Sequence, residues 1–369
     1  MLLAAVLTLA HLAGPPPAPA REPLRPTTRT TYLAAVEVEW DYAPAGRNLV
    51  MGMPFGPIEE TFVASGPHRI GRVYTKALYR VYTDSTFTTP VPIPPEWEHL
   101  GAVGPVLRAV VGDTLRVVFR NRTRFPFSVH PHGVFYAKDS EGAGGADGTS
   151  GPDTLDDRVP PGGTHAYVWP VPERAGPGPN DPSSVVWLYH SHVSTPSDTN
   201  AGLIGAIVVT ARDRAREDAT PADVDREFVT LFKIYDENLS PYLDANVRAH
   251  AGDPDGVDVE EEGFVESNLL HAINGYVYGS MPVMTMRAGE RVRWYVLGLG
   301  NEADIHTAHW HGNTGIEAGL RTDTVGLLPG ITLEVDMVPD NPGTWMFHCH
   351  VDDHIVGGMQ ALYRVLPGS

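Results

Sequence analysis

The sequence predicts an all-β protein built as two related β-sandwich domains, and three observations lead there. Of 369 residues, 38 are Gly and 34 are Pro, yet 42% are hydrophobic; such a chain makes many turns and still has a core to bury. Apolar and β-branched residues alternate in short runs, with no sustained helical period. Paired histidine motifs of the first half recur in the second. The length suffices for two domains of ordinary size.

Residues 1–20 begin MLLAAVLTLAHLAG and end Ala18-Pro19-Ala20. An apolar run before a small-residue cleavage pattern reads as a secretory signal, although no Lys or Arg precedes it. The run is too short to span a bilayer. The mature chain is therefore expected to be exported, secreted or periplasmic, with no membrane span. The first strand-like run is Tyr32–Trp40, followed by Val106–Val110, Leu115–Phe119, His165–Trp169, Val185–Tyr189 and Leu203–Thr210. The charged stretch Ala211–Asp225 contains Pro221 and breaks the pattern. It separates an expected domain 1, residues 28–211, from an expected domain 2, residues 226–369. The second half continues with Phe228–Ile234, Met284–Met286, Arg291–Val296, Ile331–Met337, Thr344–His348 and Gln360–Val365. The acidic stretch Asp253–Glu262 reads as a surface loop.

A formal net charge of −18 excludes ordinary nucleic-acid binding, which needs a basic footprint. It permits cationic substrates and serves solubility equally well.

Cys349 is the only cysteine, so it forms no internal disulfide. It stands in HCHVDDHIVGGM, residues 348–359, between His348 and His350 and ahead of His354 and Met359. One thiolate, two imidazoles and a thioether are the ligand set of a blue-copper electron-transfer site. Four His-x-His pairs accompany it: His130/His132 and His190/His192, then His309/His311 and His348/His350. On a strand, residues i and i+2 share a face, so each pair offers two imidazoles side by side. Neutral imidazole suits Cu, Zn and Fe alike; the cysteine set is what names copper. In His348-Cys349-His350 the thiolate points to one face and its neighbours to the other, which joins a mononuclear copper to a second metal cluster.

In order and content, HPHG (130–133), HSH (190–192), HTAHWHG (306–312) and HCHVDDHIVGGM resemble the multicopper oxidases. Stretches such as VEWDYAP (38–44), SGPDTLDDRVPPG (150–162), YDENLSPYLDAN (235–246) and ESNLLHAINGYVYG (266–279) place the likeness in the ceruloplasmin–hephaestin branch. The resemblance implies cupredoxin-like Greek-key sandwiches and four coppers per chain. Type 1 copper would lie on His306, Cys349, His354 and Met359. Type 2 copper would take His130 and His309. The type 3 pair would take His132, His190, His192, His311, His348 and His350. Domain 1 carries Ser191 where the thiolate would be, so one type 1 copper per chain is expected. Relatives of this branch set such domains in a six-domain ring; two-domain chains would close it as a homotrimer, with trinuclear ligands shared between chains.

The same resemblance implies an iron site of Glu266, His271 and Asp353, with Glu302 supplied from the neighbouring subunit. Hard carboxylate oxygens hold Fe³⁺ more strongly than Fe²⁺ and so ease its oxidation. Tyr136 would lie near the type 2 copper, and Glu141 near the oxygen-reducing cluster, where a carboxyl could relay protons. Asp156 and Asp157 match a paired-acid stretch beside a calcium site. The expected activity is oxidation of Fe²⁺ or another small reductant coupled to reduction of dioxygen to water. A laccase-like oxidase of phenols and aromatic amines is the alternative. Copper nitrite reductase, which carries type 1 copper in domain 1, and non-enzymatic copper storage fit the full ligand set less well.

Overall fold

The computed structural model describes Leu24–Gly368; the expected signal segment lies outside those residues. Residues 28–210 form two sheets. In one, strand Thr28–Asp41 lies between Val73–Tyr82 and Thr114–Asn121, and Thr164–Pro170 closes the far edge. In the other the order is Leu107–Val110, Ile204–Thr210, Ser184–His190 and His130–Pro131. Residues 226–366 form a six-stranded and a five-stranded sheet.

The two halves repeat one pairing scheme. Thr28–Asp41 runs parallel to Thr114–Asn121, as Arg226–Asp236 runs parallel to Val292–Gly298. Leu107–Val110 runs parallel to Ile204–Thr210, as Met284–Arg287 does to Gln360–Leu366. Parallel pairs inside otherwise antiparallel sheets are what a Greek-key return leaves behind. The repeat extends to the motifs: His130 stands opposite His190, and His309 opposite His348. The inner faces pack large aromatics. Tyr79, Phe119, Tyr167, Trp169 and Tyr189 fill the first sandwich, and Phe228, Trp294, Trp310 and Phe347 the second.

Three features differ from the sequence expectation. Strand Val73–Tyr82 is absent from the predicted runs; its middle, Lys76–Tyr79, is buried on both faces, so the alternation is lost there. Among the described residues there are five α-helices of five to eight residues, too short to leave a periodic stripe. The acidic stretch is not all loop: a turn of 3₁₀-helix covers Pro254–Gly256, and helix Glu262–Ser267 starts at its end. Among the described residues no helix is long and apolar enough to cross a membrane.

The halves share a core. Leu100, Val103, Val186, Leu188 and Ile204 pack against Val229, Leu231, Tyr295 and Leu297. Beside this seam lies a buried ion pair. Lys76 and Glu237 have no exposed side-chain surface. The ammonium donates to Glu237 and, at 2.7 Å, to the Asn200 carbonyl oxygen, while Tyr42 donates its hydroxyl to the same carboxylate. Burial pulls the Lys76 pKa down and Glu237 pushes it back up.

Glu237→Ala would strand the Lys76 cation in the seam. A loss of about 3–5 kcal/mol is expected in denaturant unfolding. A loss under about 1 kcal/mol would mean that the pair contributes no more than a surface salt bridge.

Candidate metal centre

Two groups of three potential ligands converge within 4.8 Å of one another among the described residues: His306, Cys349 and His354, and His309, His311 and His348. Strand His306–Trp310 and strand Gly343–Cys349 pair antiparallel and bring both groups together.

On the inner face, Cys349 Sγ lies 3.5 Å from His354 Nδ1 and 3.9 Å from His306 Nδ1, and the two Nδ1 atoms are 3.1 Å apart. Met359 is fully buried in the same core. Its amide donates to the His354 carbonyl at 2.9 Å, and its own carbonyl accepts from the Cys349 amide at 3.1 Å. The short helix Asp352–Val356 thus returns His354 and Met359 to the thiol. The Thr307 amide also points at the sulfur, 3.4 Å away. Burial raises the Cys349 thiol and lowers His354 to about 4. Two imidazoles and a thiol, with donor atoms facing one point, fit a cation that ionises the thiol on binding.

On the outer face, His348 Nε2 lies 3.0 Å from His311 Nε2 and 3.2 Å from His309 Nδ1. His348 Nδ1 contacts the Cys349 carbonyl oxygen at 2.6 Å, which aims Nε2 outward. His350 stacks near His309 and His348. Domain 1 mirrors this arrangement. His190 Nδ1 contacts the Ser191 carbonyl at 2.9 Å and His190 Nε2 lies 3.2 Å from His132 Nε2, with His130 and His192 beside them. Ring pairings among these eight histidines fall only within a quartet, His130/132/190/192 or His309/311/348/350. One chain therefore holds two half-sets that do not meet.

Burial lowers His132 and His348 to about 4 and His190 to about 3; neighbouring imidazoles add to the shift. All three stay neutral and free to ligate at neutral pH. Where domain 2 has its thiol, Ser191 donates to the buried Asp198 at 2.6 Å, and the amides of Val193 and Ser194 donate to the same oxygen. A carboxylate fills the space that a second mononuclear site would need.

The remaining sequence candidates are placed as follows. The Tyr136 ring lies 5.8 Å from His130 and is 38% exposed. Glu141 reaches His130 through its backbone, whose carbonyl contacts Nδ1 at 2.7 Å; its carboxylate pairs with Lys138. Lys138 also binds Asp147 at 2.8 Å, so an ammonium already balances the acid cluster near Asp156 and Asp157. Asp156 accepts from the Gly142 amide at 2.7 Å, and its Oδ1 is buried without a partner. His271 packs 5.5 Å from the His354 ring, and its Nδ1 is buried without a partner. Asp353 adjoins His354 on the same helix, and Glu266 ends helix Glu262–Ser267 just ahead of the His271 strand. Glu266, Glu302 and Asp353 are all exposed. The chain brings His271 and the exposed Asp353 beside His354, and Glu266 and Glu302 are exposed on the surface.

Sequence reasoning missed Asp304. This buried carboxylate accepts from the Ile234 amide at 2.7 Å and lies 3.2 Å from His306 Nε2. It holds the ring so that Nδ1 faces the sulfur. Its position two residues before His306 was the available signal.

Multicopper oxidase family models match residues 101–214 and 253–369. The chain belongs to the multicopper oxidase family. Similar curated proteins include human ferroxidase HEPHL1, 46% identical over 341 residues, human hephaestin, 44% identical over 342, and human ceruloplasmin, 38% identical over 334. These alignments cover 92%, 92% and 90% of this chain but only 29%, 29% and 31% of those proteins. Two solved multicopper oxidases, one described as mgLAC, share the cupredoxin-like fold. They superpose with TM-scores of 0.57 and 0.59 at 19% and 18% identity, covering 92% and 93% of this chain and 89% and 88% of theirs.

Two expectations follow. Cys349→Ser should abolish the intense visible absorption of the copper-loaded protein and leave the other coppers in place, as read by metal analysis; a variant that stays blue would contradict the thiolate assignment. In the copper-free protein the depressed histidines bind protons in the unfolded state before the folded one. Stability should therefore fall as pH drops from about 6.5 towards about 4. Denaturant midpoints that stay flat across that window would contradict it.

Proposed function

We propose that the protein is an exported multicopper oxidase that couples four one-electron oxidations to reduction of one dioxygen to two waters, with Fe²⁺ as preferred donor. The observation that carries the reading is the strand His348-Cys349-His350, which turns the thiol to one donor set and its neighbours to another. When bound, copper supplies one-electron acceptance at the thiol site and dioxygen reduction at the histidine clusters. The chain's own contribution is placement. Asp304 and the Cys349 carbonyl fix ring orientations, burial keeps imidazoles neutral, and the peptide between Cys349 and each flanking histidine is a short covalent route for an electron.

Fe²⁺ is favoured by the acids around the thiol site. Asp353 and His271 adjoin His354, and Glu266 stands at the head of the His271 strand. Relatives carrying the name ferroxidase support the same donor. Phenols are the second reading. Four coppers per chain would fill the site, which the two half-sets allow only when a second copy completes each cluster. A homotrimer does this with one repeated interface. The first half-set opens onto a cavity of about 820 Å³ lined by His130, His132, Phe135 and Tyr136. Its rim leaves Phe135 42% exposed, as a surface awaiting a neighbour would. Calcium at Asp156 and Asp157 remains part of the proposal, with the Asp156 Oδ1 atom as its support.

The test is oxygen consumption by copper-loaded protein with Fe²⁺ and with a phenol. Fe²⁺ should be the better substrate. Glu266→Ala with Asp353→Ala should cut kcat/KM for Fe²⁺ at least about tenfold, ~1.4 kcal/mol, while phenol turnover stays within about twofold. Equal losses on both donors would refute an iron pocket.

A further inference from the structure

Glu334 is a carboxylate that the copper assignment does not use, and it lies in a cavity next to the one that holds the domain 1 half-cluster. It lines a cavity of about 370 Å³ together with Asp181, Arg174, Trp187 and Thr332. The last three also wall the larger cavity that holds His130 and His132. The two spaces are neighbours that share these three residues as a common wall. Thr332 and Glu334 are two residues apart on strand Thr332–Met337, so both side chains point to the same face. They flank one residue of the other domain. Glu334 Oε1 accepts from the Val186 amide at 2.6 Å, and Thr332 Oγ1 donates to the Val186 carbonyl at 2.8 Å.

Burial pushes the Glu334 pKa up to about 7, and the charge of Asp181 adds to it; the Val186 amide and Arg293 pull the other way. Arg293 gives its Nε and Nη2 to Asp336 at 2.6 and 2.9 Å, so it does not claim Glu334. Glu173 and Arg174 are the other charged groups lining the cavity. Among acids near the half-cluster, Glu141 and Asp147 are engaged with Lys138, Asp198 with Ser191 and two amides, and Asp156 through one oxygen with the Gly142 amide.

Resting on the oxidase reading above, we propose that Glu334 passes protons from solvent, along the seam it shares with Thr332, to the oxygen-reducing cluster of which His130 and His132 form part. Dioxygen takes four electrons from the donor and four protons to give two waters. For each proton relayed, Glu334 loses one towards reduced oxygen and regains one from solvent on the Asp181 side, so the carboxyl is unchanged over a cycle. Below about pH 7 the group carries the proton; above it the supply fails.

Glu334→Gln isolates the acidity, because the amide oxygen still accepts from Val186 and the seam is preserved. With copper-loaded full-length chain, wild-type turnover should fall as pH rises through about 7. The variant should be slower by about tenfold or more on the acid side and flat across that window. Its rate of anaerobic reduction of the thiol-bound copper and its Tm should match wild type. A variant that follows the wild-type pH profile overturns the proposal. So does one that loses Tm, or that slows copper reduction equally, since either marks a structural role. Wild-type protein that takes up copper but consumes no oxygen refutes the oxidase reading instead. Infrared difference spectra of the copper-free protein across about pH 7 give an independent readout. A protonated-carboxyl band that disappears in Glu334→Gln is expected, and its absence in wild type overturns the proposal.

Discussion

A β-strand reverses face at every residue, and at His348-Cys349-His350 that reversal divides the molecule's chemistry in two. The thiol turns inward to His306, His354 and the buried Met359. The two imidazoles turn outward to His309 and His311. No helix or loop would hold two metal sites this close while keeping their ligands apart. The neighbouring strand repeats the trick, sending His306 inward and His309 and His311 to the second cluster, with Ala308 opposite Cys349 and His309 opposite His348. Much of the rest of domain 2 serves to hold these two strands. Trp294, Trp310 and Phe347 pack behind them, and Asp304 fixes the His306 ring.

Domain 1 keeps the same scaffold and drops one function. His130 and His190 pair as His309 and His348 do, and His190 uses the carbonyl of the next residue as His348 does. Ser191 and Asp198 replace the thiol site with a closed set of hydrogen bonds. The seam between the halves combines an apolar cluster with polar contacts, among them the fully buried ion pair of Lys76 with Glu237. Such a pair adds little net stability, but losing either member is costly, so it fixes how the two sandwiches meet.

The convergence of the histidine quartets and of His306, Cys349 and His354 was legible because each residue stands within a few positions of another in a short motif. Spacing of i and i+2 is enough to assign a face. The strands with alternating burial were legible for the same reason. Val73–Tyr82 was not: its Lys76 looks like a surface residue until Glu237, far along the chain, is found beside it. The turn at Asn274-Gly275 was not among the sequence expectations, although Asn-Gly favours such turns. Both residues have positive φ, 53° and 77°, and the turn's Gly275 carbonyl receives Trp40 from the other domain at 2.7 Å. Asp304 and Glu334 gain their meaning from partners at Ile234 and Val186, which no local pattern reveals. The expected iron residues were read by resemblance; the fold brings His271 and Asp353 beside His354, and Glu266 and Glu302 are exposed.

The central claim is that the oxygen-reducing cluster is completed between chains, since each chain holds two histidine quartets that do not meet. The direct test is complementation. His132→Ala disables the first quartet and His348→Ala the second, so each variant alone should consume no oxygen. Co-expressed, the two should form mixed assemblies in which an intact second quartet of one chain faces an intact first quartet of the other. Recovery of copper-dependent oxygen consumption is the predicted result. A mixture as inactive as either variant alone would contradict a cluster shared between chains.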